Sequence, residues 1–320
     1  MAALVPSAYS VRATGWLTGY SYRKAVTITA QSGASTNYQV KLLIGKTSGA
    51  TGENFDLAGH CLDTMLDMRF TASDETTALD YYIESVTASG TSYLATVWVE
   101  VAADLSSTNQ DIYVYYGKSD ATDGSNGDNT FPFFDNFPGS SIDGDKWTTL
   151  VGTPTVESGY VKLQSNERIK GNTVVGTGYA IRTKVDPVTE STNNENFWGW
   201  YGETYSNAVG VFSTYTNVGG RTYTYNSYYE TINWARNLNS QIDEVRRNAS
   251  TNVVFVENGV EKNTHSTRVP IENSSATLSA DTNCELWADW ILIRKFVATE
   301  PYFNTTSAEE NAPTSRRRFL

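Results

Sequence analysis

Ala95-Thr96-Val97-Trp98-Val99-Glu100-Val101 is the stretch that decides the fold. Thr96, Trp98 and Glu100 fall on one side of an extended chain and Val97, Val99 and Val101 on the other, the period of two that marks a strand with one buried face. The same texture spreads outward from it. Alternating or β-branched runs occupy Tyr22 to Thr29, Tyr38 to Ile44, Leu66 to Thr71, Leu79 to Val86, Tyr93 to Val101 and Asp111 to Tyr116. Each is bounded by Gly, Ser, Thr, Asn or Asp, the punctuation of hairpins and loops. Further runs follow at Tyr160 to Gln164, Tyr179 to Val185, Phe197 to Glu203, Val209 to Tyr215, Arg221 to Tyr229, Gln241 to Arg247, Val253 to Glu257, Ala276 to Ala280 and Leu286 to Val297. Val253 to Lys262, with Glu257-Asn258-Gly259 in its middle, reads as a hairpin with a type I′ turn. No amphipathic helix longer than a few turns interrupts the series, so the class is all-β.

Length and composition set the number of units. At 320 residues the chain is long enough for two domains, each able to bury a core without metals or disulfides. Between Gly117 and Thr130 the sequence offers no apolar side chain larger than alanine, which predicts a linker. The expected organisation is an N-terminal extension over 1–15, a small β-sandwich over 16–118, a linker over 119–130, a larger sandwich over 131–303 and a polar tail over 304–320. The tail ends in Arg316, Arg317 and Arg318, the pattern of a flexible or partner-bound extension. Cys61 and Cys284 fit neither a metal nor a redox spacing and read as two separate thiols, with an interdomain disulfide as the alternative. A net charge of −11 opposes binding to phosphate backbones and argues against a nucleic-acid partner. No apolar run is long enough to insert in a bilayer. Met1 to Ser10 lacks the cationic and apolar regions of a secretory signal, which for a complete chain favours release with a virus particle or a leaderless route and for a fragment leaves ordinary export open.

Several stretches carry a family resemblance. Tyr22-Arg23-Lys24-Ala25-Val26-Thr27-Ile28 after Gly15-Trp16, Met68-Arg69-Phe70-Thr71 with Ser73-Asp74, Tyr81-Tyr82-Ile83-Glu84-Ser85, Ala95 to Val99, and Ile112-Tyr113-Val114-Tyr115-Tyr116-Gly117 together resemble a domain of unknown function found in archaeal, bacterial and viral surface proteins. The second half, from Phe133-Phe134-Asp135-Asn136-Phe137 to Asp289-Trp290-Ile291-Leu292-Ile293-Arg294-Lys295, is similar to the concanavalin-A-like (laminin-G-like) modules that commonly follow that family, and its nine or ten strands suit a jelly roll. The resemblance implies an extracellular, cell-surface or virion-surface location and brings no catalytic residues. It also implies that the first and last strands of the second sandwich are neighbours, often pinned by a structural Ca²⁺. Asp135 and Asp289 are the candidate ligands. A weaker Ca²⁺ candidate is the linker set Asp120, Asp123, Asn126 and Asp128.

A glycosidase on such a sandwich needs two carboxyl groups on one face, whereas the adjacent acids Asp243 and Glu244 fall on opposite faces. His60 and His265 have no nucleophile motif around them and read as loop or surface residues. What remains is aromatic density. In Phe197-Trp198-Gly199-Trp200-Tyr201-Gly202 both faces of one strand carry rings, more than a single core needs. Trp198, Trp200, Tyr201, Tyr223, Tyr225 and Tyr229 are therefore the candidate carbohydrate-binding residues, with core packing as the alternative. The expected function is a non-enzymatic surface protein for adhesion or carbohydrate recognition, its partner a glycan or host-surface ligand. The alternatives are a structural subunit that self-assembles or joins capsid or tail proteins, and a glycoside hydrolase or lyase.

Overall fold

The computed structural model describes residues 15–189, 194–202, 207–214, 218–224, 227–234, 240–248 and 252–313, with the side chains of 187–188, 218, 220–224 and 227–233 outside that description. In chain order the strands begin with β1 (Tyr22–Thr29), β2 (Tyr38–Gly45), β3 (Phe55–Asp56), β4 (Arg69–Thr71), β5 (Ala78–Leu79), β6 (Tyr81–Ser89), β7 (Ser92–Val101) and β8 (Gln110–Tyr116). One helical turn, α1 (Gly127–Thr130), precedes β9 (Phe133–Asp135), β10 (Trp147–Val151), β11 (Thr155–Glu157), β12 (Tyr160–Gln164), β13 (Glu167–Gly171) and β14 (Tyr179–Thr189). Then come β15 (Asn196–Gly202), β16 (Ala208–Ser213), β17 (Val218–Thr224), β18 (Ser227–Trp234), β19 (Gln241–Asn248) and β20 (Asn252–Glu257). The last are β21 (Val260–His265), β22 (Ser274–Ala280), β23 (Glu285–Lys295), β24 (Tyr302–Thr306) and β25 (Glu310–Asn311).

The fold is all-β, built as two sandwiches. The first stacks the sheet β24-β1-β8-β4-β5, with β25 also on β1, against β3-β2-β7-β6. Val97, Val99 and Val101 of β7 are buried between these layers with Val26, Ile28, Leu42 and Val114, so one face of the opening stretch is core as its alternation requires. The second stacks β10-β13-β22-β15-β16-β17-β18 against β11-β12-β23-β14-β19-β20-β21, with β9 on β23. Its core runs from Phe133 and Trp147 through Trp198 and Trp200 to Ile291 and Ile293. Asn258 and Gly259 both have positive φ (50° and 81°), the type I′ geometry expected between β20 and β21. Cys61 and Cys284 are free thiols buried in different cores.

Two expectations about organisation are corrected. The polar segment after 303 is not a loose tail over its described length: β24 and β25 return to the first sandwich and pair with β1, Val26 opposite Thr306 and Arg23 opposite Glu310. Tyr116 donates to Glu309 at 2.7 Å, and Arg23 binds Glu310 at 2.8 Å. The first sandwich is thus completed by both ends of the described chain, the second lying between them. Arg316, Arg317 and Arg318 lie outside the described residues. The stretch 119–130 is pinned along β6: Asn126 donates its N–H to the Tyr81 carbonyl (2.8 Å), and the Ser125 hydroxyl accepts from the Ile83 N–H (2.9 Å).

The two sandwiches meet across the outer face of the β14–β23 region. Trp98, on the polar side of β7, packs with Phe131, Phe134, Trp290 and Leu292. Beside this apolar seam lies a buried ionic network. Arg182 of β14 forms a bidentate pair with Glu84 of β6, at 2.8 and 2.7 Å, and reaches Glu244 of β19 at 3.3 Å. Arg294 of β23 bridges Glu244 to Glu300, and the Tyr38 hydroxyl donates to Glu300 at 3.1 Å. Bidentate guanidinium–carboxylate geometry repays part of the desolvation of these charges, and loss of one partner leaves a buried charge uncompensated.

Candidate active site

β15 sorts the predicted aromatics. Trp198 and Trp200 point inward and are fully buried; their indole N–H groups donate to the Asp243 carboxylate and the Val245 carbonyl, each at 3.0 Å. They are core residues and cannot contact a sugar, which corrects their assignment as binding residues. Rings this large go inward because the space between the layers needs their volume and supplies an acceptor for each N–H. Phe197, Gly199 and Tyr201 take the outer face. Tyr225 and the side chains of Tyr223 and Tyr229 lie outside the described residues.

On that outer face the register assembles a narrow cleft. Phe197 stands opposite Phe212 on one side and Ser279 on the other, and Tyr201 opposite Ala208 and Ser275. Between them Gly199 faces Gly210, and a Cβ on Gly199 would meet the Gly210 backbone at 2.5 Å, so the floor admits no side chain. Phe197, Tyr201, Thr277, Ser279, Arg168 and Glu195 line a cavity of 20 Å³. The Lys170 ammonium lies 5.9 Å from the Tyr201 ring centre. Arg168 also borders an adjoining 130 Å³ hollow with Asn166, Glu167 and Asp281.

Two half-buried carboxylates flank Arg168 here. The Asp281 N–H donates to the Glu195 carbonyl at 3.0 Å, extending by one residue the pairing of Asn196 with Ala280. Asn196 and Ala280 point inward, so Glu195 and Asp281 both point outward, onto the face that carries Phe197 and Ser279. Side chains opposite each other on paired strands have Cβ atoms about 5 Å apart. Reasoning along single strands missed this pair, because Glu195 and Asp281 lie far apart in sequence and meet only through register. One signal was present: Glu195 immediately precedes β15, two residues before Phe197 and so in phase with the outer face.

A second cross-strand acid pair lies inside the sandwich. Asp243 is directly opposite Glu257, at 1% and 4% exposure, too deep for a sugar to reach. Burial, then the Glu257 charge, pushes the Asp243 carboxyl up to about 7, although Trp198 and Gln241 donate to it. Glu257 is held by Lys262 at 2.8 Å. Its neighbour Glu244, on the opposite face, behaves in the reverse sense. Burial alone would raise its carboxyl, but Arg294, Arg246 and Arg182 hold it well below the usual carboxylate range.

The remaining predicted sites are not brought together. β9 does pair with β23, yet Asp135 stands opposite Ile291 on the core side, where it accepts from the Phe137 N–H (2.8 Å) and the Trp147 indole (2.7 Å). Asp289 faces the other way and pairs with Lys184 at 2.5 Å. The two carboxylates therefore occupy opposite faces of one sheet and share no site. In the 119–130 stretch Asp123 caps Ser125, Asn126 caps α1 and Asp128 pairs with Lys146. Among the described residues no group of three or more His, Cys, Asp or Glu side chains could hold a metal ion. His60 is exposed and lies 3.0 Å from Glu309. His265, expected at the surface, is buried against the Phe255 ring at 4.7 Å.

Comparison with known proteins gives one family-model match over part of the chain and a set of similar shapes. The family model for the domain of unknown function DUF2341 matches residues 64–150, from before β4 into β10. No curated protein matches the chain with significance. Among solved structures, about half of the chain is similar to a β-1,3-glucanase from Mycobacterium marinum (14% identity, TM-score 0.42, covering 51% of this chain and 98% of that one). It is similar also to a family 16 glycosyl hydrolase from Mycobacterium smegmatis (10%, 0.41, 51% and 99%) and to an endo-β-1,3-glucanase from Pyrococcus furiosus (10%, 0.43, 53% and 95%). The expectation of a non-enzymatic adhesion protein is corrected. That expectation rested on the absence of two carboxyl groups on one face, and Glu195 and Asp281, flanking the paired ends of β15 and β22, fall on one face.

Proposed function

We propose that the second sandwich acts on a carbohydrate chain held in the outer cleft of its seven-stranded sheet, cleaving glycosidic bonds with Glu195 and Asp281. The observation that carries this reading is the placement of Glu195 and Asp281 opposite each other in register on one outer face, Glu195 bordering the cavity of Phe197 and Tyr201 and Asp281 the adjoining hollow. Retaining glycosidases hold their two carboxyl groups roughly 5 Å apart, one protonating the departing oxygen while the other bonds to the anomeric carbon; water then releases the sugar. Arg168 lines both the cavity that Glu195 borders and the hollow that Asp281 borders, and supplies a cation to this face. The half-buried Tyr201 ring offers an apolar face to sugar C–H groups, while Phe197 is buried against Ala208 and Phe212 and backs the cleft.

The test is product release from a panel of β-glucans, including β-1,3-linked chains, followed by NMR of the first-formed anomer. Retention of configuration is expected. Inversion would exclude a nucleophilic role for the closely spaced pair, and absence of any product across the panel would overturn the proposal.

A further inference from the structure

We propose that the hollow between the two sandwiches binds a negatively charged sugar unit, such as a uronic acid residue. It has a volume of 160 Å³, and its lining includes Lys41 and Trp98 from the first sandwich, Arg246 and Arg294 from the second, and Glu300 and Tyr302 from the segment that joins them. That volume is close to the roughly 150 Å³ that accommodates one six-membered ring.

The charge arrangement selects the ligand. Within the network, Arg182, Arg246, Arg294 and Lys41 outnumber the carboxylates Glu84, Glu244 and Glu300 by one, in a chain whose net charge is −11. The carboxylates are already engaged. Glu84 takes the fork of Arg182 and the Trp98 indole, while Glu244 and Glu300 take Arg294. The spare donors are cationic: Arg246 gives only its Nε to Glu244, at 3.2 Å, and its terminal nitrogens have no hydrogen-bond partner among the described residues. Neither does the exposed Lys41 ammonium. Its amine has a lowered pKa, first from desolvation and then from the Arg182 charge, a neighbourhood that an incoming anion relieves. Tyr302, 52% exposed, stands at the mouth with a ring face and a hydroxyl for the sugar.

This hollow shares no residue with the outer cleft, so its test stands whatever becomes of Glu195 and Asp281. Calorimetric titration of the whole chain with sodium glucuronate, glucose and sodium sulfate separates the possibilities. Glucuronate is expected to bind, glucose not; Lys41→Ala should weaken glucuronate by about tenfold at unchanged melting temperature, and Arg246→Ala should weaken it by about tenfold with a lower melting temperature, because Glu244 also loses a cation. Sulfate binding as tightly as glucuronate would overturn the assignment to a sugar. No glucuronate binding, or binding unchanged in both variants, would overturn the site itself.

Discussion

The two sheets of the second sandwich differ in what their outer faces meet. The eight-stranded sheet turns Arg182, Glu244, Trp290 and Arg294 against the first sandwich, where they are buried in an ionic and aromatic seam. Among the described residues the seven-stranded sheet makes no such junction. Its outer face carries the glycine floor, the Phe197 and Tyr201 rings and the Glu195 and Asp281 carboxylates. One face fixes the sandwiches together; the other is the face on which the proposed glycan would lie. At the seam the acids are held ionised by the arginines around them, whereas the proposed hydrolysis would ask access and proton transfer of Glu195 and Asp281.

Substitutions can break that contrast. The largest effect is expected at the cleft, where Glu195→Gln or Asp281→Asn should lower glycan turnover by about 10²- to 10⁴-fold while leaving thermal unfolding unchanged. At the seam Glu244→Gln should instead destabilise by about 3–5 kcal/mol in urea unfolding, because Arg182 and Arg294 lose a fully buried partner. Its pH dependence has a definite sign. The folded-state pKa lies below the unfolded value, so the Glu244 contribution is complete above the ordinary glutamate range and fades as pH falls toward the folded value.

Asp243, one residue away on the inner face, should show the opposite sign. Its folded pKa of about 7 lies above the model-peptide value of 3.8, so between those values the folded state binds more proton and stability falls as pH rises. Asp243→Asn keeps an acceptor for Trp198 and removes the charge; it should raise stability by about 2 kcal/mol at pH 8 relative to its effect at pH 4. A pH-independent difference would show that Asp243 is not the group titrating there. The smallest effect separates surface from core rings. Tyr201→Ala should weaken glycan affinity by about 0.5–1.5 kcal/mol with little change in stability, whereas Trp200→Ala should cost about 3–5 kcal/mol of stability.

Much of this architecture was legible in the sequence because alternation and turn chemistry are local. β1 and β12 span the predicted runs, and Asn258-Gly259 makes the expected turn. Three features were not local. Tyr302 to Thr306 lies at a sheet edge and has little buried pattern, so its return to β1 had no periodic signature. Phe197 to Tyr201 carries rings on both faces; a period of two separates those faces without saying which is inside, and the partner sheet decided against Trp198 and Trp200. Glu195 and Asp281 become neighbours only once β15 and β22 are in register.

The most direct test of the cleft is reducing-end release from a cleaved glycan by the unmodified chain, measured beside Glu195→Gln and Asp281→Asn at matched, folded concentrations. Turnover by the unmodified chain that collapses in both variants is the predicted result. Turnover that survives both substitutions would contradict the assignment of the chemistry to this face.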